Sequence, residues 1–200
     1  MSANEVDNSK RNFLIVTGLF GAAATGAAVI PFVGSMLPSE RAKAAGAPIE
    51  VDISKIEPGQ IATFEWRGKP VWVVNRTPEM LAQLEKNADK LADPASGSST
   101  QPAYAKNAIR ANEKNKNFLV VEGVCTHLGC SPTFRKDVAP ADLGADWPGG
   151  FYCPCHGSKF DMAARVFKGS PAPSNLVVPP YQYLSDSRLM IGDDSNGKGA

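Results

Sequence analysis

The sequence predicts a mainly β fold, an antiparallel sandwich or barrel, preceded by one N-terminal transmembrane helix. Three observations predict it. Short runs rich in Val, Ile and aromatic residues alternate with turn residues after position 48. The 18 Gly and 16 Pro leave little room for long helices. Residues 13–37 carry no charge, and the chain as a whole is 43% hydrophobic, which excludes general disorder.

The predicted strands are short and bounded by Gly, Pro, Asn or Asp. They are Ile49–Ile53, Gln60–Trp66, Pro70–Asn75, Phe118–Glu122, Gly150–Cys153, Leu176–Val178, Tyr181–Leu184 and Leu189–Ile191. Together they define one predicted domain over residues 49–200.

One segment between these strands has a helical pattern. Thr77 is a favourable N-cap, and Pro78 occupies the first helical position. Apolar residues then recur at helical spacing: Met80, Leu81, Leu84, Ala88 and Leu91. We expect this helix to cover the sheet and residues 93–117 to form a long polar insertion.

The uncharged run 13–37, at about 1.5 Å per residue, is long enough to cross a hydrocarbon core of about 30 Å. Lys10 and Arg11 precede it, so the positive-inside rule leaves residues 1–12 in the cytoplasm and sends the rest of the chain out. A core helix would show a polar face, which this run lacks. A cleaved signal peptide stays open, since Ala42-Lys43-Ala44 resembles a cleavage site, although this run exceeds the usual apolar length of about 7–15 residues.

The segments on either side of the apolar run have their own patterns. Residues 9–14, SKRNFL, resemble a twin-arginine export signal with Lys10 in place of the first Arg; that route exports folded proteins. Residues 38–48, PSERAKAAGAP, are polar and small and predict a flexible tether.

Lys and Arg total 21 against 20 Asp and Glu, a balance that argues against a nucleic-acid partner.

Two short boxes hold every cysteine and histidine of the chain. The first contains Cys125, His127 and Cys130, and the second contains Cys153, Cys155 and His156. Thiolates and imidazoles at this spacing are suitable ligands for iron or zinc. A structural zinc site would show different spacings, a Cys–His nucleophile would leave four of these residues without a role, and two plain disulfides would leave both histidines unexplained.

The sequences CTHLGC and CPCHGS resemble the signature of the Rieske iron–sulfur proteins of cytochrome bc complexes. The similarity extends to the apolar anchor, to Asn75–Glu79 and to the segment Ser170–Pro173. The whole chain is similar to the iron–sulfur subunits of bacterial ubiquinol–cytochrome c reductases.

This resemblance implies one Rieske-type [2Fe–2S] cluster per subunit, held by a cluster-binding subdomain over about residues 120–175. Cys125 and Cys153 would hold one iron, and His127 and His156 the other. Histidine ligands raise the potential to about −150 to +300 mV, against about −400 mV for plant-type ferredoxins. A centre in the upper part of that range can accept an electron from a quinol.

The resemblance also assigns roles to neighbouring residues. Cys130 and Cys155 would form a disulfide between the two loops, and the Ser158 hydroxyl would donate a hydrogen bond toward a cluster sulfur. Leu128 and Gly129 would belong to an apolar docking tip. The Ser170–Pro173 segment would shield the cluster from a third side.

The implied function is electron transfer within a membrane enzyme, of which this chain is a component that does not catalyse alone. His156 would hydrogen-bond ubiquinol, and the electron would pass to the c-type cytochrome of the same complex, coupled to proton release. Cytochrome b would be a further partner, and the complex is expected to be dimeric. The chain would lie in a bacterial inner membrane with a periplasmic head.

The alternatives to this function are the small Rieske subunit of an arsenite oxidase and a non-redox binding module cross-linked by disulfides.

Overall fold

The computed structural model of the chain describes residues 7–195. The first six residues of the predicted segment 1–12 and the last five of the predicted domain 49–200 lie outside the described residues. The chain divides into two units, Met1–Ala44 and Ala45–Ala200.

The first unit contains helix α1, Asn8–Gly34, and most of helix α2, Glu40–Ala45. Asp7 caps α1 by accepting hydrogen bonds from the backbone N–H groups of Ser9 and Lys10. The 27-residue helix has a window of mean hydropathy 2.1, none of it buried, so its length and composition allow it to cross a membrane. A signal sequence near the N-terminus has the same properties.

The second unit is built from three small antiparallel sheets within the described residues, which confirms the mainly β prediction. The sheet orders are β1-β9-β8, β2-β3-β4 and β5-β6-β7. The strands are β1 Ile49–Asp52, β2 Ile61–Trp66, β3 Lys69–Asn75, β4 Phe118–Glu122, β5 Thr133–Arg135, β6 Gly150–Tyr152, β7 Lys159–Phe160, β8 Tyr181–Ser185 and β9 Arg188–Ile191.

The strand predictions hold with one exception and two omissions. Leu176–Val178 was predicted as a strand but belongs to none of the described sheets. Its backbone hydrogen bonds go to three different segments instead: Leu176 N donates to Ala164 O at 3.0 Å, Val177 O accepts from Glu122 N at 2.8 Å, and Val178 N donates to Thr100 O at 3.1 Å. The sequence did not predict β5 and β7, because strands of three and two residues with polar members carry no alternation that a pattern can detect.

Helix α3, Pro78–Lys86, begins as predicted, with the Thr77 hydroxyl accepting a hydrogen bond from Met80 N. It ends earlier than its apolar pattern, at Asn87, whose side chain donates to the Gln83 carbonyl at 2.8 Å. A side chain that bonds the backbone in this way competes with helix continuation. The pattern still predicts burial correctly, since Leu84 and Leu91 are both buried.

The predicted polar insertion 93–117 is held to the rest of the domain by buried arginines. Arg76 donates to the carbonyls of Ile109 and Lys116 within the insertion and to that of Met162 outside it. Arg110, from the insertion itself, donates to the Ala164 carbonyl at 3.2 Å. Burial lowers the pKa of Arg76 and of Arg110 to about 10, so both remain cations at neutral pH.

A buried ion pair fixes the segment that follows β7. Arg165 and Asp161 are 1% and 2% exposed at their side chains, with Nη2 and Oδ2 2.7 Å apart. The remaining donors of Arg165 reach the carbonyls of Pro94 and Leu84, at 3.0 and 2.8 Å. This pair therefore joins the chain after β7 to the end of α3 and to the insertion.

The end of the predicted tether is bound to the second unit. Trp66 Nε1 donates to Ala47 O at 3.1 Å, and Arg67 Nε donates to Gly46 O at 3.4 Å. The Arg67 guanidinium also lies 4.4 Å from the centre of the Trp66 ring. Residues 46 and 47 are thus held against the head, whereas the predicted tether continues to residue 48.

We predict that Asp161→Asn lowers the free energy of unfolding by about 3–5 kcal/mol, because it leaves the buried Arg165 charge without its partner. The Asp161 carboxylate accepts hydrogen bonds from the backbone N–H groups of Ala163 and Arg165. Asn retains a carbonyl oxygen that can accept both, so the variant removes the charge with little change in shape. Thermal denaturation of the detergent-solubilised chain measures the effect. Asp142→Asn is the matched control, because the Asp142 side chain is 59% exposed in its pair with Arg135. Equal losses in both variants would contradict the prediction.

Candidate metal centre

The two boxes form loops with the same backbone closure, one after β4 and one after β6. Four hydrogen bonds close them: Cys125 N to Cys130 O at 2.8 Å, Gly129 N to Cys125 O at 3.0 Å, Cys153 N to Ser158 O at 2.8 Å, and Gly157 N to Cys153 O at 2.9 Å. Gly129 and Gly157 have φ angles of 83° and 78°. Only glycine adopts this conformation without strain, so it permits both tight turns.

A disulfide joins the two loops between Cys130 and Cys155, with their Cα atoms 6.7 Å apart. This pairing confirms the one that the resemblance implies. Cys125 and Cys153 are free and buried. Cys153 Sγ also lies within 4.8 Å of both disulfide sulfurs, but bonded sulfurs cannot act as thiolate ligands, so Cys125 and Cys153 remain as candidate ligands.

The two free thiols share a dry environment. Burial raises the pKa of the Cys125 thiol, and the adjacent Cys153 thiol raises it further. Hydrogen bonds from the His127 backbone N–H and the Ser158 hydroxyl lower that pKa in opposition. A thiol with a raised pKa is a poor free nucleophile, and it can bind a metal as the thiolate when the cation replaces its proton.

The two histidines lie beside each other with their ring centres 4.8 Å apart. His127 Nδ1 is buried and has no hydrogen-bond partner among the described residues, which is costly unless a ligand satisfies it. The His156 side chain is exposed. Two buried thiols, an inward imidazole nitrogen and a second imidazole fit the donor set that a [2Fe–2S] group of mixed Cys and His ligation requires.

The segment after Ser170 is hydrogen-bonded to both loops, while its shielding of the cluster stays a prediction. Ala172 N donates to the Ser158 hydroxyl at 3.1 Å, and the Thr126 hydroxyl donates to Ser174 O at 2.7 Å. Sequence reasoning missed the role of Thr126, although its position inside the first box was a signal. Leu128, in the predicted tip, is 71% exposed.

Comparison with known families agrees with this geometry. A family model described as "Rieske [2Fe-2S] domain" matches residues 49–182, about two thirds of the chain. A second model, described as "Ubiquitinol-cytochrome C reductase Fe-S subunit TAT signal", matches residues 1–39. The chain belongs to the Rieske [2Fe–2S] proteins and carries one cluster of that type.

Similar proteins define the group within that family more closely. The chain is 56% identical to the ubiquinol-cytochrome c reductase iron-sulfur subunit of Allochromatium vinosum, over 97% of this chain and 93% of that one. Subunits of the same name from Bradyrhizobium diazoefficiens and Blastochloris viridis are 40% and 41% identical, over 96% of this chain and 99% and 97% of theirs. Within the Rieske proteins, the chain is a member of the ubiquinol–cytochrome c reductase iron–sulfur subunits. The predicted family is confirmed, and the arsenite oxidase alternative is less supported.

We predict that Cys125→Ser and Cys153→Ser abolish the cluster signal, because each removes a thiolate that binds iron. Cys130→Ser and Cys155→Ser should instead give a less abundant, labile cluster, since they remove only the cross-link between the loops. The measurement is the electron paramagnetic resonance spectrum of membranes, normalised to the amount of subunit. If Cys130→Ser lost the signal completely while Cys125→Ser kept it, the assignment of ligands and disulfide would be reversed.

Proposed function

We propose that this chain takes one electron at a time from ubiquinol and delivers it to the c-type cytochrome of the same membrane complex. One observation carries the proposal: the two loops that a disulfide joins hold two buried free thiols, and they also place His127, whose Nδ1 is buried, beside the exposed imidazole of His156. This arrangement supports a redox centre whose inner ligands are dry and whose outer ligand can touch a substrate. The names of the similar proteins support the choice of ubiquinol and cytochrome c.

The proposed ligands are Cys125 and Cys153 for one iron, and His127 and His156 for the other. When bound, the cluster supplies a one-electron acceptor with a potential of about −150 to +300 mV. The chain's own residues keep the site dry and oriented: Ser158 is fully buried beside the Cys125 thiol, and Ala172 is bonded to Ser158. Hydrogen bonds of this kind favour a more negatively charged reduced state.

His156 is the proposed proton acceptor. A metal cation held by one ring nitrogen would acidify the N–H on the other. With that proton already lost, the exposed nitrogen of His156 can accept a hydrogen bond from a quinol hydroxyl and take its proton as the electron leaves the quinol. Leu128, in the other loop, is 71% exposed, although leucine side chains are usually buried. We assign Leu128 and Gly129 to an apolar docking tip that places the quinol against His156.

The proposed domain organisation is an N-terminal segment 1–12, an anchor 13–37, a tether 38–48 and a Rieske domain 49–200 with its cluster-binding subdomain at about 120–175. The apolar helix α1 and the family fit a membrane-anchored protein. Lys10 and Arg11 before the anchor support a cytoplasmic N-terminus and a periplasmic head in a bacterial inner membrane. Cytochrome b and a c-type cytochrome are the proposed partners, in a dimeric complex.

Purification in mild detergent tests this proposal most directly. We expect the chain to co-purify with cytochrome b haem and a c-type cytochrome, and the preparation to have quinol:cytochrome c reductase activity. Mass spectrometry identifies the subunits, and haem spectra identify the cytochromes. Isolation of an iron-containing chain without haem partners or activity would contradict the proposal.

We predict that Leu128→Glu weakens quinol binding and leaves the cluster signal intact, because it places a charge on the apolar tip without touching a ligand. The expected result is a higher KM for quinol at unchanged cluster content, by about tenfold for a loss of about 1.4 kcal/mol in binding. Val138→Glu is the matched control, since Val138 is 60% exposed in the β5–β6 connection outside both boxes. Equal KM changes in the two variants would remove Leu128 from the tip.

We also predict that stiffening the tether slows turnover. Replacing Ala42, Ala44 and Ala45 by proline gives an extended, semi-rigid segment just before Gly46, where the head begins to hold the chain. Quinol:cytochrome c activity should fall while the cluster spectrum stays unchanged. The same three positions replaced by glycine control for the loss of helix α2 alone. Full activity in the proline variant would count against a mobile tether.

A further inference from the structure

The two proposed thiolate ligands come from different sheets. Cys125 follows β4, in the sheet β2-β3-β4, and Cys153 follows β6, in the sheet β5-β6-β7. Among the described residues no strand ladder connects these two sheets. Backbone hydrogen bonds between strands therefore do not set the separation of the two thiols, and side-chain contacts must set it.

The disulfide is one of these contacts, and it lies where the first loop closes, since Cys130 O accepts a hydrogen bond from Cys125 N at 2.8 Å. Cys130 is the last residue of the first box and lies five positions beyond Cys125. The cross-link therefore joins the closing residue of the first loop to the second loop at Cys155. The strands that enter the loops have a second connection, which does not involve the disulfide.

Trp72, in β3, contacts the chain that enters the first loop. It pairs with Val121 in β4, and its ring lies over the backbone of Gly123, two residues before Cys125. A Cβ atom added at Gly123 would lie 2.6 Å from Cζ2 of Trp72 and closer still to Cε2. The indole thus fills the space that any side chain at position 123 would need. Gly123 N also donates to Pro70 O at 2.7 Å, which holds this backbone beside β3.

The same indole contacts the strand that enters the second loop. Its ring stacks on Phe151, two residues before Cys153, with centres 5.3 Å apart and planes 9° from parallel. Phe151 is fully buried and packs on its other neighbour, Phe134, with centres 5.5 Å apart. Phe151 therefore cannot move without disturbing the core around it.

We infer that Trp72 is a positioning residue for the cluster: it fixes the separation of Cys125 and Cys153 where the chain enters the two loops, in addition to the disulfide, which joins the loops where the first one closes. One rigid ring touches the position two residues before each thiol, so a change in the ring changes the distance between the thiols. This inference rests on the ligand set proposed above. It assigns Trp72 no contact with substrate.

The chain contains a matched control for this role. Trp66, in β2, is buried to the same degree, 5% exposed against 6% for Trp72. Its ring also occupies the space of a glycine side chain, since a Cβ added at Gly192 would lie 2.5 Å from Trp66 Nε1. Gly192 follows β9, which belongs to neither of the two sheets that carry the boxes. Its φ of +100° makes Gly192→Ala at least as disruptive to the backbone as Gly123→Ala.

The experiment compares Trp72→Leu and Gly123→Ala with Trp66→Leu and Gly192→Ala, each in the full chain in membranes. The readouts are the electron paramagnetic resonance g-values and the midpoint potential of the cluster, with subunit amount measured separately. We expect Trp72→Leu and Gly123→Ala to shift and broaden the g-values and to change the potential. The two controls should reduce the amount of subunit and leave the spectrum of what remains as in the wild type.

Each outcome decides the inference. Wild-type spectra in Trp72→Leu and Gly123→Ala, or equal shifts in the two controls, overturn it. If Trp72→Leu does not accumulate, the test is made with Gly123→Ala and Trp72→Phe, because Phe keeps a ring on Phe151. Wild-type spectra in both of these variants overturn the inference. Cys125→Ser separates this inference from the proposed ligand set: a cluster retained in that variant refutes the ligands, whereas a lost cluster with wild-type Trp72 variants refutes only the positioning role.

Discussion

The buried ion pair between Arg165 and Asp161 anchors the chain that leaves the second loop through β7. Asp161 lies three residues after Ser158, and its carboxylate accepts from two backbone N–H groups as well as from Arg165. Arg165 in turn reaches α3 and the insertion through two carbonyls. Burying two charges is costly, and the cost is offset only in one arrangement that satisfies every donor and acceptor. The pair therefore selects a single geometry for the chain behind the metal site.

Solvent exposure changes sharply across the two loops. The inner residues Cys125, Cys153 and Ser158 are buried, whereas His156 and Leu128 are exposed a few residues away. A redox site needs both conditions: a dry interior strengthens the interactions that tune the metal, and an exposed ligand lets a proton leave with the electron. The disulfide and the segment after Ser170 keep the loops closed while the tip stays open.

Much of this could be predicted from the sequence because its signals are local. The strands of four to seven residues show bounded β-rich runs, and the Thr77-Pro78 start of α3 is a cap that depends on neighbouring residues alone. The two boxes hold every cysteine and histidine of the chain at short spacing. The kind of metal site could therefore be predicted without knowledge of its geometry. β5 and β7 were missed because they are short and contain polar residues, so they show no apolar run. Leu176–Val178 was wrongly assigned because its apolar residues are buried without a strand partner.

By itself, the sequence determined the family, the cofactor, the mainly β class and the apolar N-terminal helix, since each depends on residue types within a short window. Only the tertiary structure decided which distant residues share a contact. No pattern in the sequence indicated that Arg76 and Arg110, which hold the insertion, are buried. Nor did the sequence indicate that the indole of Trp72 contacts Gly123 and Phe151. These contacts join residues that are 51 and 79 positions from Trp72, and their energy depends on shape and desolvation in the folded core, which no local pattern contains.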